Sequence, residues 1–406
     1  MMSKALRERM QSYVETDSLP GLVYLAASGD DVTVETLGTV AYDTDRPMTR
    51  DSVFRIASIS KPITAAAAMI LVEDGTIRLD EPVDRLLPEL ADRGVLRSLE
   101  SDLDDTVPTR RPILIEDLLT LRMGFGSILT EPGRYPIQRA EAALGLATLG
   151  SPSPPPALTG DQWIAALGTL PLIEQPGERW LYNTGSQVLG VLVERAARRP
   201  LEDLLRERLF EPLGMVDTGF VLRPDQRERF TTRYQPDPAG GRPVVSDPSV
   251  DGYWNRPTGR PDAASWLLST VDDLWGFAQM LQAGGAYPGG RVLSEASVAA
   301  MTTDHVSPAE RAGSEDLLEE HESWGYGMLV PAAGDPDSLG EYGWDGGSGT
   351  SWRTHPTLGY TGILLTQLEL GAPQAMAIYA DFWAALRGSP EGGSPRKNPG
   401  DGGLDR

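Results

Sequence analysis

Ser58 and Lys61, a hydroxyl and an amine three positions apart, could together support covalent catalysis. They lie in Phe54-Arg55-Ile56-Ala57-Ser58-Ile59-Ser60-Lys61-Pro62-Ile63-Thr64-Ala65, where the apolar pattern and the alanines predict a helix that stops at Glu73-Asp74-Gly75. Pro62 suits a first turn and Gly75 an exit. Three positions apart, the hydroxyl and the amine share one helix face near its positive end. A Ser-Lys pair is an alternative to the Ser-His arrangement for making a nucleophile, and S-x-x-K is a catalytic signature. The bare pattern is weak. Ser394-Pro395-Arg396-Lys397 also fits it, and a capping serine beside a lysine stem laid along the helix would use the same residues. Lysine usage adds weight, because Lys4, Lys61 and Lys397 are the only lysines in a chain that otherwise takes its positive charge from arginine. A desolvated lysine can release its proton near neutral pH, and arginine cannot.

Two later stretches could complete such a site. Tyr182 stands in Trp180-Leu181-Tyr182-Asn183-Thr184-Gly185-Ser186-Gln187-Val188-Leu189-Gly190, at the mouth of another predicted helix. A phenol beside an amine and a helix N-terminus could take the Ser58 proton and return it to a leaving group. A half-buried structural tyrosine in a turn fits that position as well. The other stretch is Tyr342-Gly343-Trp344-Asp345-Gly346-Gly347-Ser348-Gly349-Thr350-Ser351-Trp352. Its glycines let backbone approach a substrate, and the Gly347 amide could join that of Ser58 in an oxyanion hole. A glycine-rich hairpin turn accounts for the same composition.

A chain of 406 residues with 40% hydrophobic content suffices for a large core or two closely joined subdomains. The formal net charge of −22 disfavours nucleic acid and anionic membrane as partners. Without cysteine there is no disulfide and no thiolate metal site. His305, His321 and His355 are too scattered for a metal motif, so neither metal nor cofactor is expected. Met1 to Arg9 is polar, without the apolar core of a signal peptide, and no run reaches transmembrane length. A cytoplasmic protein with no membrane partner is the expectation. Oligomeric state stays open.

Residues 3–15 are predicted to form an amphipathic helix, and Gly21 to Ala27 with Val32 to Gly38 a β-hairpin. Further helices fall at Ile115 to Leu121, Gly160 to Leu167, Tyr182 to Arg198, Leu201 to Leu209, Val271 to Gly284, Ser294 to Met301 and Pro373 to Leu386. Ser127 to Gly160, with its run Ser151-Pro152-Ser153-Pro154-Pro155-Pro156, reads as a long irregular segment suited to covering a site. Residues 304–322 read as an acidic loop, and strands return at Tyr326 to Val330, Ser351 to His355 and Thr361 to Leu368. Strands at both ends around a helical middle predict one sheet assembled from the two termini. Residues 1–60 and 324–387 would make that α/β domain and 61–323 a mainly helical one, with the site at their junction. Residues 388–406 are expected to be a disordered tail.

The order S-x-x-K, tyrosine turn, glycine strand resembles the serine β-lactamase and penicillin-binding-protein superfamily. Within it, the class C β-lactamase-like branch that includes family VIII carboxylesterases is nearest in motif. The resemblance covers roughly residues 5–386. It implies an α+β fold, an antiparallel sheet flanked by N- and C-terminal helices beside an all-helical domain. It also implies Ser58 as nucleophile, Lys61 and Tyr182 as base and acid, and the Ser58 and Gly347 amides as oxyanion hole. Two departures shape the functional expectation. Tyr182-Asn183-Thr184 replaces Tyr-x-Asn, and Trp344-Asp345-Gly346 replaces Lys-Thr-Gly, so the cation that grips a β-lactam carboxylate is gone and Asp345 should repel one. Tryptophan at that point resembles the family VIII esterases. Trp344, Gly346, Thr184, Arg122, Phe125 and Trp266, with Met123, are the expected substrate contacts. The expected activity is hydrolysis of a small carboxylic ester through an acyl-enzyme on Ser58. A β-lactamase or D-amino-acid peptidase, a biosynthetic acyltransferase and a non-catalytic binding relative stay as alternatives. No G-x-S-x-G occurs, which disfavours an α/β-hydrolase.

Overall fold

The predicted hairpin is present as β1 (Gly21–Ser28) and β2 (Asp31–Gly38), paired antiparallel with Leu25 opposite Val34. In the computed structural model, which describes residues 2–146, 158–256, 262–336 and 338–388, this hairpin is one end of a seven-stranded sheet. The C-terminal part supplies β3 (Glu322–Trp324), β4 (Leu329–Pro331), β5 (Tyr342–Gly346), β6 (Thr350–His355) and β7 (Tyr360–Thr366). The order is β3-β4-β5-β6-β7-β1-β2 and every pairing is antiparallel. The two ends of the chain therefore meet at the β7–β1 seam, where Leu25 lies opposite Ile363.

Side chains alternate along a strand, so each central strand feeds two cores. Leu22, Tyr24 and Leu364 point to one face, under α1 (Met2–Glu15) and the last helix, Pro373–Arg387, where they meet Leu6, Met10, Ile378, Phe382 and Leu386. Val23, Leu25, Ile363 and Leu365 point to the other face and join the large helical core. Burial on both faces explains why these strands read as apolar runs. Gly362 lets the last helix sit close, because a Cβ there would come within 2.6 to 2.8 Å of Leu386 and Trp383.

The helical core is centred on α2 (Ser60–Glu73), buried without a break from Ser60 to Leu71. A helix apolar on all sides belongs in the interior. It packs on α6 (Thr184–Ala197); α3 (Ile115–Leu119), α4 (Pro136–Ala143) and α5 (Gly160–Gly168) precede α6 in the chain. Helix α7 (Val271–Gln282) lies between this core and the sheet. No helix among the described residues is long and apolar enough to cross a membrane.

Three local expectations change. The helix does not open at Ser58: Phe54–Arg55 is a short strand paired with Leu268–Ser269, Ala57–Ile59 is a single tight 3-10 turn, and α2 begins at Ser60. The segment 127–160 contains α4, started by Pro136 and turned inward on Ile137; Ser151 to Pro156 lies outside the described residues. The acidic loop 304–322 carries a one-turn helix, Pro308–Arg311, capped by Ser307. The expected tail, from residue 389 onward, also lies outside the described residues.

Candidate active site

Ser58 sits in the tight turn between the strand at Phe54–Arg55 and α2. Ala57 just before it has φ +45°, a left-handed backbone that non-glycine residues adopt rarely and at a cost. The turn is held from two sides. The Ile56 amide donates to Leu267 O at 3.0 Å, and Thr350 Oγ1 donates to Ile56 O at 3.0 Å. Gly346 is required at this crossing, since a Cβ there would lie 2.3 Å from Ile56 O. The next residue, Gly347, is exposed and a Cβ on it would meet nothing within 4 Å. The β5–β6 corner thus brings an open backbone segment beside the half-buried Ser58. Ser58 lies in the first turn of its helical segment, where amides have no carbonyl partner within the helix.

Lys61 is 1% exposed. Its Nζ donates to Ser58 Oγ at 2.9 Å and to the Ala264 carbonyl at 3.1 Å, and it lies 4.5 Å from the centre of the Tyr182 ring. Behind the turn, Arg55 is buried between Phe230 and Trp254 and paired with Asp247, Nε donating at 2.7 Å. Burial pulls the Arg55 guanidinium down to about 10, and the Asp247 charge works against that, so the cation persists at neutral pH.

Tyr182 is presented by a rare turn. Asn183 has φ +81° and ψ −59°, and the Thr184 amide donates back to Tyr182 O at 3.2 Å, which is a γ-turn of the strained positive-φ kind. The same carbonyl takes the Ser127 amide at 2.9 Å. The Tyr182 hydroxyl accepts a hydrogen bond from Trp344 Nε1 at 2.8 Å. Trp180, Trp324 and Trp344 surround the ring with centroids 5.7, 6.4 and 5.8 Å away, and Val306 and Leu318 close the cluster. Loop 304–322 is tied over it: Trp180 N donates to Glu310 O at 2.8 Å and Arg122 pairs with the Glu310 carboxylate. Burial pushes the Glu310 carboxyl up, but hydrogen bonds from Ser307 and the Arg122 charge outweigh it and hold the group below its ordinary range.

Ser58, Lys61, Tyr182, Trp344, Gly346 and Gly347 therefore converge. The other expected contacts are buried or engaged by partners within the protein. Arg122 is engaged by Glu310 and by Thr120 Oγ1, and Phe125 is fully buried with the Arg93 guanidinium 5.4 Å from its ring. Met123 is also fully buried. Trp266 is buried in a stack on Trp254 at 4.1 Å, and Thr184 is fully buried, its hydroxyl without a hydrogen-bond partner among the described residues. Four of these five side chains are buried, and Arg122 is held by its two partners. Asp345 is a correction too: strand alternation turns it away from Trp344, and Arg353 holds it with two bonds of 2.9 Å, so its charge is compensated on the far face of β5. The Trp344 bond to the Tyr182 hydroxyl was missed, because it depends on register between residues 162 positions apart.

Comparison with known proteins agrees with this architecture. A family model described as Beta-lactamase matches residues 6–384. An uncharacterised protein of Mycobacterium tuberculosis is 36% identical over 373 residues, covering 88% of this chain and 86% of its own. The esterase EstB of Burkholderia gladioli is 30% identical over 387 residues, covering 90% and 88%. Among solved structures, EstCE1, described as a hydrolase with promiscuous acyltransferase activity, superposes with a TM-score of 0.76 at 24% identity, covering 95% and 98%. With the family matched along nearly its whole length and relatives aligned over most of theirs, the chain belongs to the β-lactamase family and has its α+β fold.

Proposed function

We propose that the protein is a serine hydrolase that cleaves small, uncharged carboxylic esters through an acyl-enzyme on Ser58. The observation that carries this is the buried Lys61 amine 2.9 Å from the Ser58 hydroxyl, with the Tyr182 ring against the same amine. In this reading Ser58 Oγ attacks the ester carbonyl while its proton passes to the Lys61–Tyr182 pair. The oxyanion is taken by the Ser58 and Gly347 amides, typically the largest electrostatic contribution in acyl transfer. The pair then protonates the departing alkoxide, and water repeats the sequence to release the acid and restore Ser58. Preference for an uncharged ester is supported by Trp344, which offers an indole where a carboxylate-binding cation would sit, and by the commitment of Arg353 to Asp345. The name of EstB points the same way. Transfer of the acyl group to an alcohol instead of water is the second reading, favoured by the activity named for EstCE1.

The test is hydrolysis of p-nitrophenyl acetate together with fluorophosphonate labelling, followed by intact mass. Ser58→Ala should abolish both, and the parent should carry one label on Ser58. Turnover unchanged in Ser58→Ala overturns the proposal. A chromogenic cephalosporin cleaved faster than the ester would overturn the substrate class, and product analysis with added alcohols separates hydrolysis from transfer.

A further inference from the structure

Lys61 has a second partner whose own support is unusually complete. Its Nζ donates to Ala264 O, and Thr64, one turn further along α2, donates from Oγ1 to Ala263 O at 2.8 Å. Two consecutive carbonyls thus receive the reactive face of the helix. Asp262 holds them in place. One of its carboxylate oxygens accepts the Ala264 amide at 2.9 Å, and the other accepts Gln187 Nε2 from α6 at 2.6 Å. The Asp262 carbonyl takes the amides of Ser265 and Trp266 at 3.1 and 2.9 Å. Gly190, one turn after Gln187 on the same face of α6, lets Ala263 press in, since a Cβ there would come within 2.3 Å of the Ala263 Cβ. Asp262 is 8% exposed and Gln187 4%.

We propose that Asp262 and Gln187 form a clamp that aims the Ala264 carbonyl at Lys61, making them positioning residues for acyl transfer at Ser58. The proposal rests on the reading of Ser58 and Lys61 given above. A carbonyl oxygen can only accept, so it binds an N–H of the amine. Once the amine is uncharged, its lone pair is left free to face the Ser58 hydroxyl. A four-carbon stem with several rotatable bonds needs such an anchor to stay in one geometry. Because Gln187 rides on the helix that opens just after Tyr182, the clamp also ties the amine and the phenol to a common support.

The experiment compares parent, Asp262→Ala, Asp262→Asn and Gln187→Met on p-nitrophenyl butyrate, each shown to be folded by near-UV circular dichroism. In parallel, 13C,15N-lysine labelling follows the side-chain resonances of Lys4, Lys61 and Lys397, the only lysines present. Asp262→Ala should lower kcat by roughly 10- to 100-fold with KM within about threefold, the pattern of lost orientation rather than lost binding. Gln187→Met should cost about three- to tenfold, the loss of one hydrogen bond. Asp262→Asn should stay within about threefold of the parent, since its side-chain oxygen still accepts Ala264 N–H and its amide nitrogen can donate to the oxygen of a turned-over Gln187 carboxamide. The Lys61 resonance should move in Asp262→Ala and Gln187→Met, with Lys4 and Lys397 unmoved. A folded Asp262→Ala with parental kcat, a loss in Asp262→Asn as large as in Asp262→Ala, or a stationary Lys61 resonance each overturns the clamp. If Asp262→Ala does not fold, Gln187→Met with parental kcat and a stationary resonance overturns it alone. A parent that neither turns over the ester nor takes the fluorophosphonate overturns the reading of Ser58 instead, while the Lys61 resonance still reports on the clamp.

Discussion

An indole N–H donates without carrying charge, and at position 344 it points at the Tyr182 oxygen from 2.8 Å. Trp344 is also packed edge-on against Trp324, with centroids 4.8 Å apart, so its ring cannot swing away from that bond. Trp344→Phe keeps most of the packing and deletes the donor. A single hydrogen bond is worth about 0.5–1.5 kcal/mol, so kcat/KM for a short p-nitrophenyl ester should fall by roughly three- to tenfold with the fold retained. Steady-state kinetics beside a thermal melt check this; parental kcat/KM would show that the indole only packs. What the sequence disclosed at this scale follows from distance along the chain. Ser58 and Lys61 are three residues apart and could be paired by spacing alone. The Trp344–Tyr182 bond joins two distant segments and needs the register in which Trp344 faces Trp352 across β5 and β6. The same register turns Asp345 away from the site, which composition could not show. Thr184, Phe125 and Trp266 are each buried, an outcome of tertiary packing that their positions in the sequence do not reveal.

Elements were legible where an apolar pattern ran for several turns, as in α2 and α6, and illegible where one unusual residue decided the path. Ala57 at φ +45° ends any helix before Ser58, and nothing in an alanine announces that. Helix α4 is two turns long and sits in a segment whose prolines and glycines dominate its composition, so its single inward face was hidden. That helix carries a group with a measurable signature. One oxygen of the Glu141 carboxyl is buried without a hydrogen-bond partner among the described residues, and burial pushes its pKa up to about 7. In the unfolded chain the same group titrates near its ordinary value, so between about pH 4.5 and 7 the folded protein holds a proton that the unfolded chain has released. Stability from this group therefore declines as pH rises through that window, and the loss is complete above it. Glu141→Gln removes the ionisation. Its Tm should match the parent near pH 4.5 and exceed it by a few degrees at pH 8, the gap opening across the window. Melts at half-unit intervals test this, and parallel Tm curves for the two proteins would show that Glu141 is solvated.

At the scale of the molecule, the sheet separates what holds the chain together from what faces Ser58. The termini were expected to share one sheet because strand signals lay at both ends of the sequence, and the β7–β1 seam is where they join. The order of the other strands depended on pairings that sequence does not encode locally. One core lies under α1 and the terminal helix, and the helical core with the Ser58 turn lies on the opposite face. Phe382 belongs wholly to the first: it is fully buried, 5.7 Å from Tyr24 and 5.0 Å from Trp383 between ring centroids. Phe→Ala in a packed core costs about 3–5 kcal/mol through lost transfer energy and the cavity left behind. Phe382→Ala should therefore lower the urea midpoint strongly. At 15 °C, where the variant remains folded, kcat and KM on the short ester should stay within about twofold of the parent, because interiors transmit strain through contacts and the sheet stands between this cavity and Ser58. A midpoint that falls together with kcat measured on fully folded protein would mean that the terminal helix reaches the site through β1 and β7. A fall in stability alone would establish the two faces as energetically separate, with the pairing of the chain ends serving the fold and the β5–β6 corner serving the chemistry.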